Sequence, residues 1–286
     1  MSERPGSEIA RRLYKSSVSL EEWENCVGKY SQAVASVASG KSKEGLVKWD
    51  AHLWGDLVTA VESRSPKHIV VSELADIMKW KLARGKARPL QKLVESNSPA
   101  SVIAASTEAF KHLSAGHWEK AIDAITSLKA VGVATATAIL SPFAPALVPF
   151  MADEVMEAVS CKRDYTMKIY KEMRSALIVK AQELQQMVAE SENEDREVKE
   201  WTAELVGKAL WVKAIMQVYP EISSADNKPV AKTADEKKKT DKKEKDSGSS
   251  SKRKAAKEEE EGSEGSEKEM EAAPTQSKGG RKRAKA

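Results

Sequence analysis

Apolar residues recur through the first 222 positions at intervals of three and four, the spacing that gathers them on one face of a helix. Leu46, Trp49, Leu53, Leu57 and Val61 form one such stripe, stopped by Pro66. Leu74, Ile77, Met78 and Leu82 form the next, which ends at Gly85, and Pro89 can open a further helix. Upstream, Ser19-Leu20-Glu21-Glu22 reads as a capping box before a helical segment running to about Gly40. Downstream the pattern predicts helices over 99–113, 117–128 and 133–140, a short one from Ala152, then 164–189 and 195–218. Residues 68–72 are the one stretch with β character, and it is short. The fold class expected is all-α, with about ten helices in two lobes around a cleft.

Composition divides the chain at residue 222. Positions 223–286 carry 18 basic and 14 acidic residues and no Leu, Ile, Phe, Trp or Tyr. Such a segment cannot bury enough apolar surface to offset its chain entropy, so a disordered, mixed-charge tail is expected there. The body keeps all seven tryptophans and balances 29 basic against 29 acidic residues. Any anion-binding face on it must therefore come from local clustering. The organisation expected is a flexible N-terminus over 1–18, a helical domain over 19–222 and the tail.

A charge-free run covers 130–152, long enough to cross a bilayer, but Pro142, Pro145 and Pro149 divide it. It reads as a buried helix followed by a proline-shaped loop, so no membrane partner is expected. Glu3 and Glu8 interrupt the N-terminal basic residues and no apolar run follows, which argues against a secretory or transit peptide. Cys26 and Cys161 lack metal-ligand spacing, so no zinc site, disulfide framework, iron–sulfur cluster or other cofactor is expected. In the tail, Lys238-Lys239, twelve residues and then Lys252-Arg253-Lys254 have the form of a bipartite nuclear import signal, with Arg281-Lys282-Arg283 as a second cluster. An import receptor as partner and nuclear residence are the corresponding expectations, with a mixed-charge solubilising tail as the alternative.

The most informative stretch is 128–140, Leu-Lys-Ala-Val-Gly-Val-Ala-Thr-Ala-Thr-Ala-Ile-Leu, with Asp153 placed 19 residues after Ala134. A glycine turn opening a small-residue helix lets backbone amides approach a phosphate closely. The backbone of Val131, Gly132, Val133, Ala134 and Thr135 is thereby a candidate DNA contact. The pattern resembles the helix-hairpin-helix of the base-excision DNA glycosylases, in which a Leu-Pro-Gly-Val-Gly turn grips one strand and an aspartate at this distance downstream sits in the catalytic pocket. Here Lys129-Ala130 stands in place of Pro-Gly. A second stretch, Trp80-Lys81-Leu82-Ala83-Arg84-Gly85-Lys86-Ala87-Arg88-Pro89, together with Pro149-Phe150-Met151-Ala152-Asp153-Glu154, is similar to the signature of the amun-like eukaryotic proteins, which carry a DNA-glycosylase-type domain. The resemblance covers residues 46–159.

What the resemblance implies is a helix-hairpin-helix glycosylase-like fold, DNA as partner and Asp153 as the catalytic carboxylate. Bifunctional members place a lysine nucleophile where this chain has Ala134, so an enzyme of this kind would be monofunctional. Lys81, Arg84, Lys86 and Arg88 are candidate phosphate contacts and Trp80 a candidate base-stacking ring. Each feature has a plainer reading: a buried Ala/Thr helix after a turn, acids at a helix start, cations at a helix end, and a core tryptophan. Three function classes follow: a monofunctional glycosylase, a catalytically silent module that binds DNA or structured nucleic acid, and a helical interaction protein whose hairpin is only a turn; a monomer is expected. Deleting 223–286 is expected to leave the melting temperature of the body nearly unchanged and to lower nuclear accumulation. A large drop in melting temperature would show that the tail docks on the body.

Overall fold

The computed structural model describes residues 6–191, 198 and 200–224; the disorder and import signals expected of the tail lie outside them, apart from Ser223 and Ser224. Among the described residues every regular element is helical. These are α1 (Ser7–Lys15), α2 (Leu20–Gly28), α3 (Tyr30–Ala38), α4 (Leu46–Ala51), α5 (Leu57–Glu62), α6 (Val71–Arg84) and α7 (Gln91–Glu95). They continue as α8 (Pro99–Ser114), α9 (Trp118–Thr126), α10 (Val133–Leu140), α11 (Asp153–Ala158), α12 (Met167–Ala189), α13 (Ala203–Val218) and α14 (Glu221–Ser224). A π turn, His52–Asp56, joins α4 to α5.

Caps fix several of these starts. Ser98, Thr166 and Thr202 accept from the amides of Ser101, Ile169 and Leu205, which begins α8, α12 and α13 where side-chain oxygens replace the missing carbonyls. The helices expected from 164 and 195 accordingly begin later, at Met167 and Ala203. Ser19 is the N-cap of α2 without a side-chain cap bond, because the Glu22 amide bonds the Ser19 carbonyl instead. The short β-like stretch forms no strand: the Val70 amide donates to the Glu73 carboxylate at 2.9 Å, which starts α6.

Of the segment 1–18 expected to be flexible, residues 1–5 lie outside the described ones and 7–15 are helical. Residues 7–15 form α1, with Ala10 and Leu13 buried against α11 and α13. Gly6 (φ +85°) approaches Ala214 so closely that a Cβ would lie 2.1 Å from its carbonyl oxygen, so only glycine fits. Ser7 Oγ and Arg11 Nε then donate to the carboxylate and carbonyl of Glu157.

At the centre runs α13, buried at Val206, Ala209, Leu210, Trp211, Val212 and Ala214, and therefore apolar almost all round. It packs against α1, α2, α3, α11 and α12, and the described helices belong to one compact unit. No helix of the described residues is long and apolar enough to cross a membrane.

Polar groups are buried beside α13. Asp50 accepts from Tyr30 Oη and Trp80 Nε1, both at 2.8 Å. Glu204 accepts the Phe150 amide at 2.7 Å, and burial raises its pKa against the lowering pull of Lys208 and Arg84. Lys208 is correspondingly lowered by burial, and its ammonium lies 3.3 Å from the centre of the Trp54 ring. Glu204→Ala would orphan a buried amide and leave two cations short of their counter-charge. A loss of about 3 kcal/mol in urea unfolding is expected, and a loss below about 1 kcal/mol would mean that water reaches this group.

Candidate functional site

Three backbone segments converge on one cleft of about 250 Å³: the end of α6 with the chain after it, the turn between α9 and α10, and the start of α11. Each is held by identifiable bonds.

The turn is clamped from α8's approach. The Asn97 side chain takes the Lys129 amide at 2.8 Å and donates to its carbonyl at 3.1 Å, so one buried amide satisfies both backbone groups of that residue. Ala130 then adopts φ +62°, the left-handed conformation that glycine takes without strain. The turn thus forms with alanine where the resembling motif has glycine. Gly132 is different: its backbone is extended (φ −98°), and a Cβ added there would meet nothing within 4 Å. Its missing side chain serves no packing need and leaves the amides behind it open. Among the described residues none accepts a hydrogen bond from the amides of Gly132, Val133 or Ala134, the orphan donors at the start of α10.

The proline loop that delivers Asp153 is pinned from the core. Met151 N–H donates to Thr137 Oγ1 at 3.1 Å, Phe150 N–H to Glu204, Tyr170 Oη to the Pro149 carbonyl and Arg174 Nε to the Leu147 carbonyl. Asp153 is consequently the first residue of α11 and reaches the cleft half-buried, where its Oδ1 accepts from Tyr165 Oη at 2.6 Å. Burial and this bond raise the Tyr165 pKa, while Arg88, 5.7 Å from the ring centre, acts in the opposite direction.

The cations divide by depth. Lys86 and Arg88 are exposed at the rim and Lys81 is intermediate. Arg84 is only 6% exposed, caged by Trp211 at 4.3 Å, Phe150 at 5.0 Å and Trp80 at 5.4 Å from ring centre to guanidinium carbon. Its Nε is buried without a hydrogen-bond partner, although the residue lines the cleft. Four cations face two carboxylates there, Asp153 and Glu154, a formal surplus of two positive charges in a body of no net charge.

Of the residues singled out from sequence, Lys81, Arg84, Lys86, Arg88, Gly132, Val133, Ala134, Thr135 and Asp153 all line this cleft. Val131 does not; its side chain is 5% exposed and packs in the core. Trp80 is a correction: at 1% exposure, with its indole N–H bound to Asp50, it cannot stack on a base and instead backs the wall through Phe150. Sequence reasoning missed Asn97, Glu204 and Tyr165. A Tyr close after the Asp153 helix was a usable cue for Tyr165, whereas Asn97 and Glu204 act across 32 and 54 residues.

No group of three or more His, Cys, Asp or Glu side chains among the described residues is disposed to hold a metal ion. Compared with models of protein families, with curated proteins and with solved structures, the chain matches none.

The positive φ at Ala130 gives a local test of the turn. Ala130→Gly is expected to raise unfolding free energy by about 0.5 kcal/mol, the relief of strain exceeding the added freedom of the unfolded chain. A clear loss of stability on chemical denaturation would show that the alanine methyl is needed for packing.

Proposed function

We propose that this protein binds nucleic acid through the cleft, with the α9–α10 turn as a helix-hairpin-helix of the glycosylase type. The observation that carries the reading is the juxtaposition of open α10 amides with a half-buried carboxylate and a local surplus of positive charge. Amides at a helix start and lysines and arginines at a rim favour phosphate oxygens, and such contacts position a strand without reading its sequence. A cleft of about 250 Å³ is small for a ligand pocket and suits a single nucleotide-sized group.

Base excision is the second reading, favoured by the position of Asp153. An extruded nucleotide in the cleft would bring its sugar near this carboxylate, which can stabilise a cationic sugar or activate water. Ala134 offers no amine at the position where bifunctional glycosylases carry lysine. The basic clusters of the tail support nuclear residence through an import receptor.

Fluorescence anisotropy on undamaged and damaged duplexes separates the readings. Gly132→Val, which meets no fold constraint, is expected to keep the melting temperature and weaken both duplexes by about tenfold. Unchanged affinity would remove the hairpin from the interface. Asp153→Asn is expected to abolish base release while binding persists, and base release that survives it would reject the catalytic reading.

A further inference from the structure

Arg84 is the least exposed of the four cations that line the cleft, and no carboxylate is bonded to it. Its Nε lacks an acceptor, and among the described residues the guanidinium makes no hydrogen bond or ion pair. The carboxylates buried nearby are committed elsewhere: Asp50 accepts from Tyr30 and Trp80, and Glu204 takes the Phe150 amide. Trp80, Phe150 and Trp211 enclose the guanidinium instead, and ring faces attract a cation without supplying oxygen acceptors. The amides of Gly132, Val133 and Ala134 belong to residues lining the same cleft, and they too lack acceptors. Two independent sets of donors are thus left for one acceptor group.

We infer that the cleft takes a phosphate monoester, the terminal phosphate of a nucleic-acid strand, on Arg84 and the α10 amides. The inference rests on the nucleic-acid reading for the nucleoside part alone, because the phosphate follows from the donors. Its ligand also differs from that of base excision, which acts on a nucleotide within a strand.

Charge and shape both favour a strand end. An internal phosphodiester carries one negative charge and is esterified on both sides, so the chain must leave it in two directions. A monoester carries roughly −1.5 to −2 near pH 7, offers three acceptor oxygens and is attached on one side only. The formal surplus of two positive charges, with Asp153 and Glu154 counted against the four cations, matches the monoester. Depth points the same way: a donor only 6% exposed, in a cleft of about 250 Å³, is reached by a group that ends and not by one through which a strand runs. Lys86 and Arg88, exposed at the rim, remain for the next phosphate along the strand.

Fluorescence anisotropy with one internally labelled duplex, ended in 5′-phosphate, 3′-phosphate or hydroxyl groups, tests this at constant salt. At least one phosphorylated form is expected to bind about tenfold tighter than the hydroxyl form. The preference is expected to shrink below about threefold in Arg84→Lys, which keeps the charge but loses the planar fork, and in Gly132→Val. Melting temperatures check both variants first, and Gly132→Val, whose added Cβ meets no atom, keeps the test open if Arg84→Lys unfolds. Equal affinity for all three duplexes overturns the inference and leaves nucleic-acid binding intact. A preference undiminished in the folded variants also overturns it, since the phosphate would then be held elsewhere. Calorimetry with thymidine 5′-monophosphate and with thymidine separates a strand end from a free nucleotide. Binding of the monophosphate and not of thymidine, with no duplex bound, upholds the monoester site and refutes the nucleic-acid reading.

Discussion

The bond from the Phe150 amide to the buried carboxylate of Glu204 anchors the proline-rich stretch that delivers Asp153 to the cleft. Residues 141–152 carry three prolines and no helix; local turns satisfy the amides of Phe143, Ala144, Leu147 and Val148, while the Phe150 and Met151 amides and the Leu147 and Pro149 carbonyls take partners from elsewhere. Glu204 and Thr137 take amides, while Tyr170 and Arg174 donate to carbonyls. Because these partners lie on α10, α12 and α13, the loop is fixed to three helices at once. Asp153 starts immediately after the pinned segment, so its approach to the cleft is set by core bonds and not by a surface loop.

The same buried cluster shapes the electrostatics of the cleft. Arg84 enters from the α6 end between three aromatic rings, with Asp50 and Glu204 near enough to influence its surroundings. Flat rings can accommodate a weakly hydrated guanidinium but offer it no oxygen acceptors. A buried arginine with an unpartnered nitrogen beside open backbone amides is costly for a fold to maintain. On the proposed reading, an anion in the cleft would satisfy both sets of donors. The surplus positive charge is invisible in the composition, since acidic residues elsewhere cancel it.

Much of this was legible in the sequence because helical periodicity and local turn chemistry are short-range. The stripes through 46–61 and 74–82 fell on real helices, and the turn before α10 stands where its glycine and small residues placed it. Trp80 went wrong for an instructive reason: it follows Ile77 by three and precedes Arg84 by four, so helix geometry puts it on the buried face, while its basic sequence neighbours suggested a surface. The start of α1 was missed because Ala10 and Leu13 are too few to stand out before their partners on α11 and α13 are known. Asn97 reaching Lys129 and Glu204 reaching Phe150 are tertiary facts, with no linear pattern to announce them.

Backbone amide chemical shifts, followed by NMR while a short DNA duplex is added to the full chain, test the central claim most directly. The expected result is that the amides of Gly132, Val133 and Ala134 move first and together with the Arg84 side-chain Nε–H, with the response fading as salt is raised. Shifts confined to other surfaces, with the α10 start and Arg84 unmoved at saturating DNA, would contradict it.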